Sequence, residues 1–203
     1  MRVLLVDAFD SFVFVIAEYY AKVGAQTRVV RVNEDPISHY REWQPHLLVL
    51  GPGPGTPEEH GYLDIIRAVD KNQAIFGVCL GHQAIGQVFG WNLVLAPTIE
   101  HGKEAQLQHD GEGVFLDVPS PTTVIRYHSL AITHPGIDNE LVATATAHAD
   151  GVVMGVRHRY RPIEGVQFHP ESVGTMYGIR MIQNSLKLVH QELRTMESVH
   201  PMM

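Results

Sequence analysis

The 203-residue chain holds a single cysteine, Cys79, so no disulfide can close within it and a cross-linked secreted scaffold is excluded. Long apolar runs are missing too. None approaches the roughly 18 residues that cross a bilayer, and the apolar run after Met1 is too short for a secretory leader, so the reading is a cytoplasmic protein with no membrane partner. Excess positive charge is the third absence. With 15 Lys and Arg against 22 Asp and Glu, the formal net charge of -7 suits no phosphate backbone, and nucleic acid is not expected as a partner. Repeats, low-complexity tracts and long linkers are absent as well, so residues 1–203 read as one domain. Its 45% hydrophobic content is enough for an ordinary core.

Read in order, Val3 to Val6 is a continuous apolar run ending in Asp7, the pattern of a parallel strand buried on both faces. A helix follows, capped by Asp10 or Ser11, with Phe12, Ile16, Tyr19, Tyr20 and Val23 at helical spacing and Gly24 as its stop. Strands at Thr27 to Val32 and His46 to Leu50 alternate with a weaker helix around Ile37 to Trp43. Another helix at Leu63 to Val69 precedes a strand at Ala74 to Val78. This alternation predicts a doubly wound parallel sheet, in which ligands bind outside the carboxyl ends of the strands. From about Pro97 the pattern changes to short pieces at Val114 to Phe115, Thr122 to Arg126, Leu141 to Ala147 and Val152 to Val156, then Ile163 to Phe168, separated by Gly, Pro and Asp-Gly turns. They predict an antiparallel sheet in the second half. A last helix is expected from about Met176 to Arg194.

Three stretches carry chemistry. In Ala74 to Gly90 a strand breaks at Gly77-Val78-Cys79-Leu80-Gly81 before helical spacing resumes, and a sharp strand-to-helix turn of this kind lifts its central side chain into a cleft. The free N–H groups at a helix start favour negative charge, which moves a thiol toward the reactive thiolate. Gly51-Pro52-Gly53-Pro54-Gly55 follows another strand; its prolines stiffen the backbone and its glycines permit close approach, so free N–H groups can face an oxyanion. Neither a Walker loop nor a dinucleotide fingerprint fits its spacing. Finally, His169 and Glu171 stand two apart with Pro170 between them, and an extended backbone places both on one side, where the carboxylate can orient the imidazole. Cys79, His169 and Glu171 together match the logic of acyl transfer by a sulfur nucleophile. The other histidines lack the spacing of a zinc site, and no metal is expected.

Taken together these stretches resemble the class I (triad) glutamine amidotransferases, and within them the amidotransferase component of anthranilate and aminodeoxychorismate synthases. The likeness runs over nearly the whole chain: Gly51 to Gly55, Gly77 to Gln83, Arg126-Tyr127-His128-Ser129-Leu130 and Val166 to Ser172 appear in order. What the resemblance implies is a flavodoxin- or Rossmann-like α/β fold, a central, mostly parallel sheet flanked by helices with a smaller antiparallel sheet. It implies Cys79 as nucleophile, His169 as base and Glu171 as its orienting carboxylate. Gly53, Pro54, Gly55 and Leu80 would belong to the pocket for glutamine and its oxyanion, and Gln83, Ser129 and Leu130 would hold the amino-acid end. Asp110 and His101-Gly102-Lys103 fit the pattern without an assigned role. The partners implied are L-glutamine and a separate chorismate- or isochorismate-using synthase, with no cofactor in this chain and magnesium in the synthase. A glutamine amidotransferase serving a different acceptor synthase, a stand-alone γ-glutamyl hydrolase on the same triad, and a non-catalytic module on the same fold are the alternatives.

One stretch departs from the subfamily. Where it usually has two asparagines and a threonine, the segment Asp7 to Val15 carries Ala8, Val13 and Val15, either because polar docking contacts are lost or because these positions pack a helix.

Overall fold

The computed structural model describes residues 1–137 and 139–190. The first half alternates as the apolar runs require. Strand β1 (Arg2–Asp7) is followed by α1 (Phe12–Lys22), β2 (Gln26–Arg31), α2 (Pro36–Trp43), β3 (Leu47–Leu50), α3 (Tyr62–Ala68), β4 (Ala74–Val78) and α4 (Leu80–Val88). Local chemistry sets the helix ends. The Asp10 carboxylate accepts from Phe12 N–H at 2.9 Å and Asp35 from Ser38 N–H at 3.2 Å, satisfying donors that have no partner inside the helix. At the far end of α1, Gly24 takes φ +88° and its N–H returns to Ala21 O at 3.0 Å.

The second half is β5 (Asn92–His109), β6 (Thr122–Thr133), β7 (Leu141–Ala147), β8 (Val153–His158), β9 (Ile163–Val166) and α5 (Gly178–Ser185). Among the described residues the nine strands lie in one sheet, ordered β2-β1-β3-β4-β9-β8-β7-β5-β6. β1 to β4 and β9 pair in parallel, while β8 joins β9 antiparallel and carries β7, β5 and β6 beyond it. The antiparallel half is thus an extension of the parallel one. Alternate residues of β1 divide between two cores: Val3 and Leu5 pack with α1, and Leu4 and Val6 pack with α3 and α4. Apolar burial on both faces is what made the strand read as an unbroken hydrophobic run.

Two expectations are corrected, and one strand was not foreseen. Val114 and Phe115 form a 3-10 turn (Gly113–Phe115) and not a strand, because Gly111 and Gly113 both take positive φ and Val114 N–H is drawn to the buried Glu164 carboxylate at 2.8 Å. β5, which no pattern had announced, is 18 residues long; its register shifts after Leu95 and after His101, and it is largely exposed, so no apolar alternation marks it. The last helix is shorter than expected: α5 is followed by a 3-10 segment (Leu186–His190), and residues 191–194 of the expected span lie outside the described residues. Among the described residues no helix is long and apolar enough to cross a membrane.

Parallel registration is what assembles the site. Val6 pairs with Leu50, Leu50 with Gly77, and Val78 with Val166, so the segments leaving β1, β3, β4 and β9 emerge side by side at one edge.

Candidate active site

Cys79 occupies the turn between β4 and α4 at φ +53° and ψ -98°, a conformation an L-residue holds at a cost of about 1–3 kcal/mol. Its surroundings enforce that geometry. A Cβ on Gly77 would stand 2.5 Å from Gly81 C, and one on Gly81 would stand 2.2 Å from Leu50 O, so only glycine fits on either side where the elbow packs on β3. The Cys79 N–H donates to Val166 O at 2.9 Å, tying the elbow to β9. The first bond within α4 runs from Gln83 N–H to Cys79 O at 3.1 Å, which leaves the N–H groups of Leu80, Gly81 and His82 without an intrahelical acceptor beside the sulfur.

His169 and Glu171 follow β9 and meet at 2.6 Å between Nδ1 and Oε1, with both residues buried. They meet across a turn rather than along extended backbone: Ser172 N–H donates to His169 O at 3.2 Å, and the chain folds back at Pro170 and Glu171. The rings of Phe12 and Tyr127 stand edge-on to the imidazole at 5.7 and 5.1 Å and fix its plane. Nε2 is buried and makes no hydrogen bond of ordinary geometry among the described residues, which leaves it available for proton exchange with the sulfur. Burial opposes charge on this ring. The Cys79 sulfur on one side and the Glu171 carboxylate on the other outweigh it and raise the imidazole pKa well above its ordinary value.

In front of the sulfur opens a cleft of about 380 Å³, within the range of small-molecule pockets. Gly53, Pro54, Gly55, Gln83, Ser129 and Leu130 all line it together with Cys79. The glycine-proline loop is fastened at several points. Pro54 O is held by His60 Nε2 at 2.8 Å, Thr56 N–H donates to Glu59 Oε2 at 2.8 Å, and a Cβ on Gly53 would stand 2.5 Å from Ala8 Cβ. Leu80 differs from the others. Its side chain is buried in the core and does not line the cleft; as the first residue of α4 it has no intrahelical acceptor for its N–H. Behind the cleft wall, Arg126 is buried, donates to Asp150 Oδ2 at 2.8 Å and to His128 Nε2 at 3.1 Å, and His128 Nδ1 in turn donates to Leu130 O at 2.9 Å. Burial, with the Arg126 charge beside it, pushes the His128 pKa down to about 4 and keeps that ring neutral.

Thr56, Glu59, His101, Tyr127 and His128 also line the cleft and had no assigned role. Only His101, Tyr127 and His128 lay in motifs that the sequence singled out. Gln167 was missed although it stands inside one of them: it is fully buried, and its Nε2 lies 3.6 Å from the Cys79 sulfur. His82, next in the elbow, is buried with its pKa pushed down to about 3 by that burial, so it is no base at neutral pH. Among the described residues no group of three or more His, Cys, Asp or Glu side chains is arranged to hold a metal ion. The apolar departures also find their places. Ala8 and Val13 are buried, Ala8 against Gly53 and Val13 against Gly51, so both pack the glycine-proline loop; Val15 is half-buried.

Comparison with known proteins agrees with this geometry. Residues 4–189 match the family "Glutamine amidotransferase class-I". The chain is 42% identical to an anthranilate synthase component 2 of Pseudomonas putida, over 92% of this chain and 97% of that one. It is also 42% identical to an aminodeoxychorismate synthase component 2 of Klebsiella aerogenes, over 91% and 98% of the two chains. Among solved structures, a putative GMP synthase subunit from Thermoplasma acidophilum superposes with a TM-score of 0.80 at 28% identity, covering 94% of each chain. The chain belongs to the class-I glutamine amidotransferases.

Proposed function

We propose that this protein hydrolyses L-glutamine at Cys79 and delivers the ammonia to a separate synthase chain that aminates chorismate or isochorismate. The observation that carries the reading is the meeting of an elbow-borne thiol, the His169–Glu171 pair at 2.6 Å and a glycine-lined cleft at the ends of parallel strands. In this mechanism the sulfur attacks the side-chain amide carbon of glutamine, and the oxyanion is met by free N–H groups of the Gly53–Gly55 loop and of Leu80. His169, charged between sulfur and carboxylate, gives its Nε2 proton to the leaving nitrogen. Ammonia departs and a glutamyl thioester remains. Water, deprotonated by the same ring, then releases glutamate. Gln83, Ser129 and Leu130 would grip the amino-acid end, which separates glutamine from simple amides.

No cofactor is assigned to this chain, and magnesium would belong to the synthase; the place of action would be the cytoplasm. The synthase reading is supported by relatives named for both kinds of chorismate-using enzyme, and equal identity of 42% to an example of each does not choose between them. The burial of Ala8 and Val13 supports the packing reading for these two positions, and Val15 is half-buried.

The test is reconstitution with an anthranilate-type and an aminodeoxychorismate-type synthase, supplying either glutamine or ammonium. The expected result is product from both nitrogen sources with the wild-type chain and from ammonium alone with Cys79→Ala. Glutamine-dependent synthesis surviving in Cys79→Ala would overturn the mechanism, and full glutamine turnover with no response to either synthase would favour a stand-alone hydrolase.

A further inference from the structure

Gln167 is a fully buried side chain amide against the nucleophile, and its orientation can be deduced rather than assumed. A backbone carbonyl only accepts hydrogen bonds. Gln83 stands 3.0 Å from Leu130 O, so the end of its amide facing that carbonyl is Nε2. The same Nε2 reaches the Gln167 amide at 3.1 Å, and what meets it there must be oxygen, Oε1. The remaining end of Gln167, at 3.6 Å from the Cys79 sulfur, is therefore the NH₂ group. The anchor is itself held, because the neutral His128 ring donates to Leu130 O at 2.9 Å and Arg126, bonded to Asp150, donates to that ring. One carbonyl thus sets the polarity of two amides in series.

We propose that Gln83 and Gln167 form an oriented relay in which Gln167 is a positioning residue, holding an N–H donor against the Cys79 sulfur, while Gln83 couples that donor to the glutamine cleft it lines. A donor at this place stabilises negative charge on sulfur and steers the lone pair that attacks; a carbonyl in its place would repel it. The coupling follows from geometry. Gln83 has one end in the relay and borders the cavity where the amino-acid end of glutamine would sit, so ligand that moves Gln83 moves the Gln167 amide with it. The inference rests on Cys79 being the nucleophile.

The test reads the sulfur directly. Because Cys79 is the only cysteine, the rate of iodoacetamide alkylation of the whole protein, followed by mass spectrometry, reports that one atom. Gln167→Met keeps the volume and removes the donor; it is expected to slow alkylation about tenfold at pH 7 and to lower kcat for glutamine hydrolysis by a similar factor with KM within about twofold, the size of one hydrogen bond to a charged group. Gln83→Glu touches no sulfur and cannot donate to either acceptor, so it lets the Gln167 amide turn its oxygen to the sulfur, slowing alkylation comparably and raising KM. Gln83→Met in the Gln167→Met background is expected to cost alkylation nothing further, since the relay is already broken. Alkylation at the wild-type rate in folded Gln167→Met, or losses that multiply in the double variant, would overturn the proposal. If Gln167→Met does not fold, Gln83→Glu alone decides it: unchanged alkylation overturns the relay. Failure of wild-type glutamine turnover would instead count against the parent reading, whatever the alkylation rates.

Discussion

His169 carries the proton traffic of the site because it stands between two groups that favour its charge while burial disfavours it. Removing one of those groups has a definite sign. In Glu171→Gln the amide still fits at the 2.6 Å contact, but the carboxylate charge is gone, so burial regains ground and the imidazole pKa falls. Glutamine hydrolysis is expected to lose about a hundredfold in kcat with little change in KM, and its alkaline limit is expected to move to lower pH. The direction follows from the role of the ring as acid: the protonated imidazole gives its proton to the leaving nitrogen, so activity falls as pH climbs through the raised pKa, and lowering that value brings the fall earlier. A kcat–pH profile of the two proteins measures this, and an unmoved alkaline limb would contradict it. Cys79 and Glu171 were legible in the sequence because glycines bracket the first and a histidine stands two residues before the second. The role of Gln167 was not legible, since which end of an amide faces a sulfur depends on a carbonyl 37 residues away in the chain, at Leu130. Leu80 shows a related limit: sequence places it at the elbow, and only the packing shows that its side chain lies in the core and not in the cleft lining.

At the scale of elements, the elbow is a joint between β4, α4 and β3 whose tolerance for one extra carbon follows from its contacts. A Cβ at Gly81 would press into Leu50 O at 2.2 Å and Leu50 C at 2.8 Å, both backbone atoms of a central strand that cannot swing aside. Gly81→Ala is therefore expected to cost about 3 kcal/mol or more in urea unfolding and to abolish alkylation control at Cys79. Gly24→Ala makes the contrast, since among the described residues nothing lies within 4 Å of its Cβ and only the left-handed φ of +88° is strained, for a cost of about 1 kcal/mol. Equal losses in the two would show that the joint is softer than its contacts require. Of the strands that sequence announced, β1, β3 and β4 are buried on both faces, where burial forces an unbroken apolar run, while β2, β6, β7 and β8 were announced by alternation and turn signals although none of them is buried throughout. β5 escaped because an exposed strand with two register shifts needs no such pattern, and residues 113–115 misled because a short apolar run after a glycine suits a tight turn as well as a strand. The His169–Glu171 contact was foreseen for a reason that did not hold: a turn closes it, and a two-residue spacing is compatible with either backbone.

Over the whole molecule, parallel strands supply the nucleophile and its base while the antiparallel extension supplies the opposite wall of the cleft through β6, so the site exists only while the sheet is continuous. Three buried histidines fasten parts of that structure in a neutral state: His82 on α4 against Gly165 of β9, His128 on β6 and His158 on β8. Burial is the leading cause in each. It pushes His82 down to about 3 and the other two to about 4, with the Arg126 charge adding at His128 and Glu140 pulling the other way at His158. The unfolded chain accepts protons on these rings near pH 6.5, and the folded one refuses them. Each contribution to stability is thus complete above about pH 6.5 and is withdrawn as pH falls, at about 1.4 kcal/mol per pH unit for each ring, down to its own folded value. Glu164, which burial raises against the pull of Arg157, gains its proton earlier in the folded state and offsets part of the loss at the acid end. Urea midpoints are accordingly expected to drop steeply between pH 6.5 and 5, and His82→Asn, having no ring to protonate, is expected to show a shallower fall than the wild type over the same interval. A midpoint that stays level across that range would mean that these rings are hydrated in solution and that the sheet opens more readily than its packing implies.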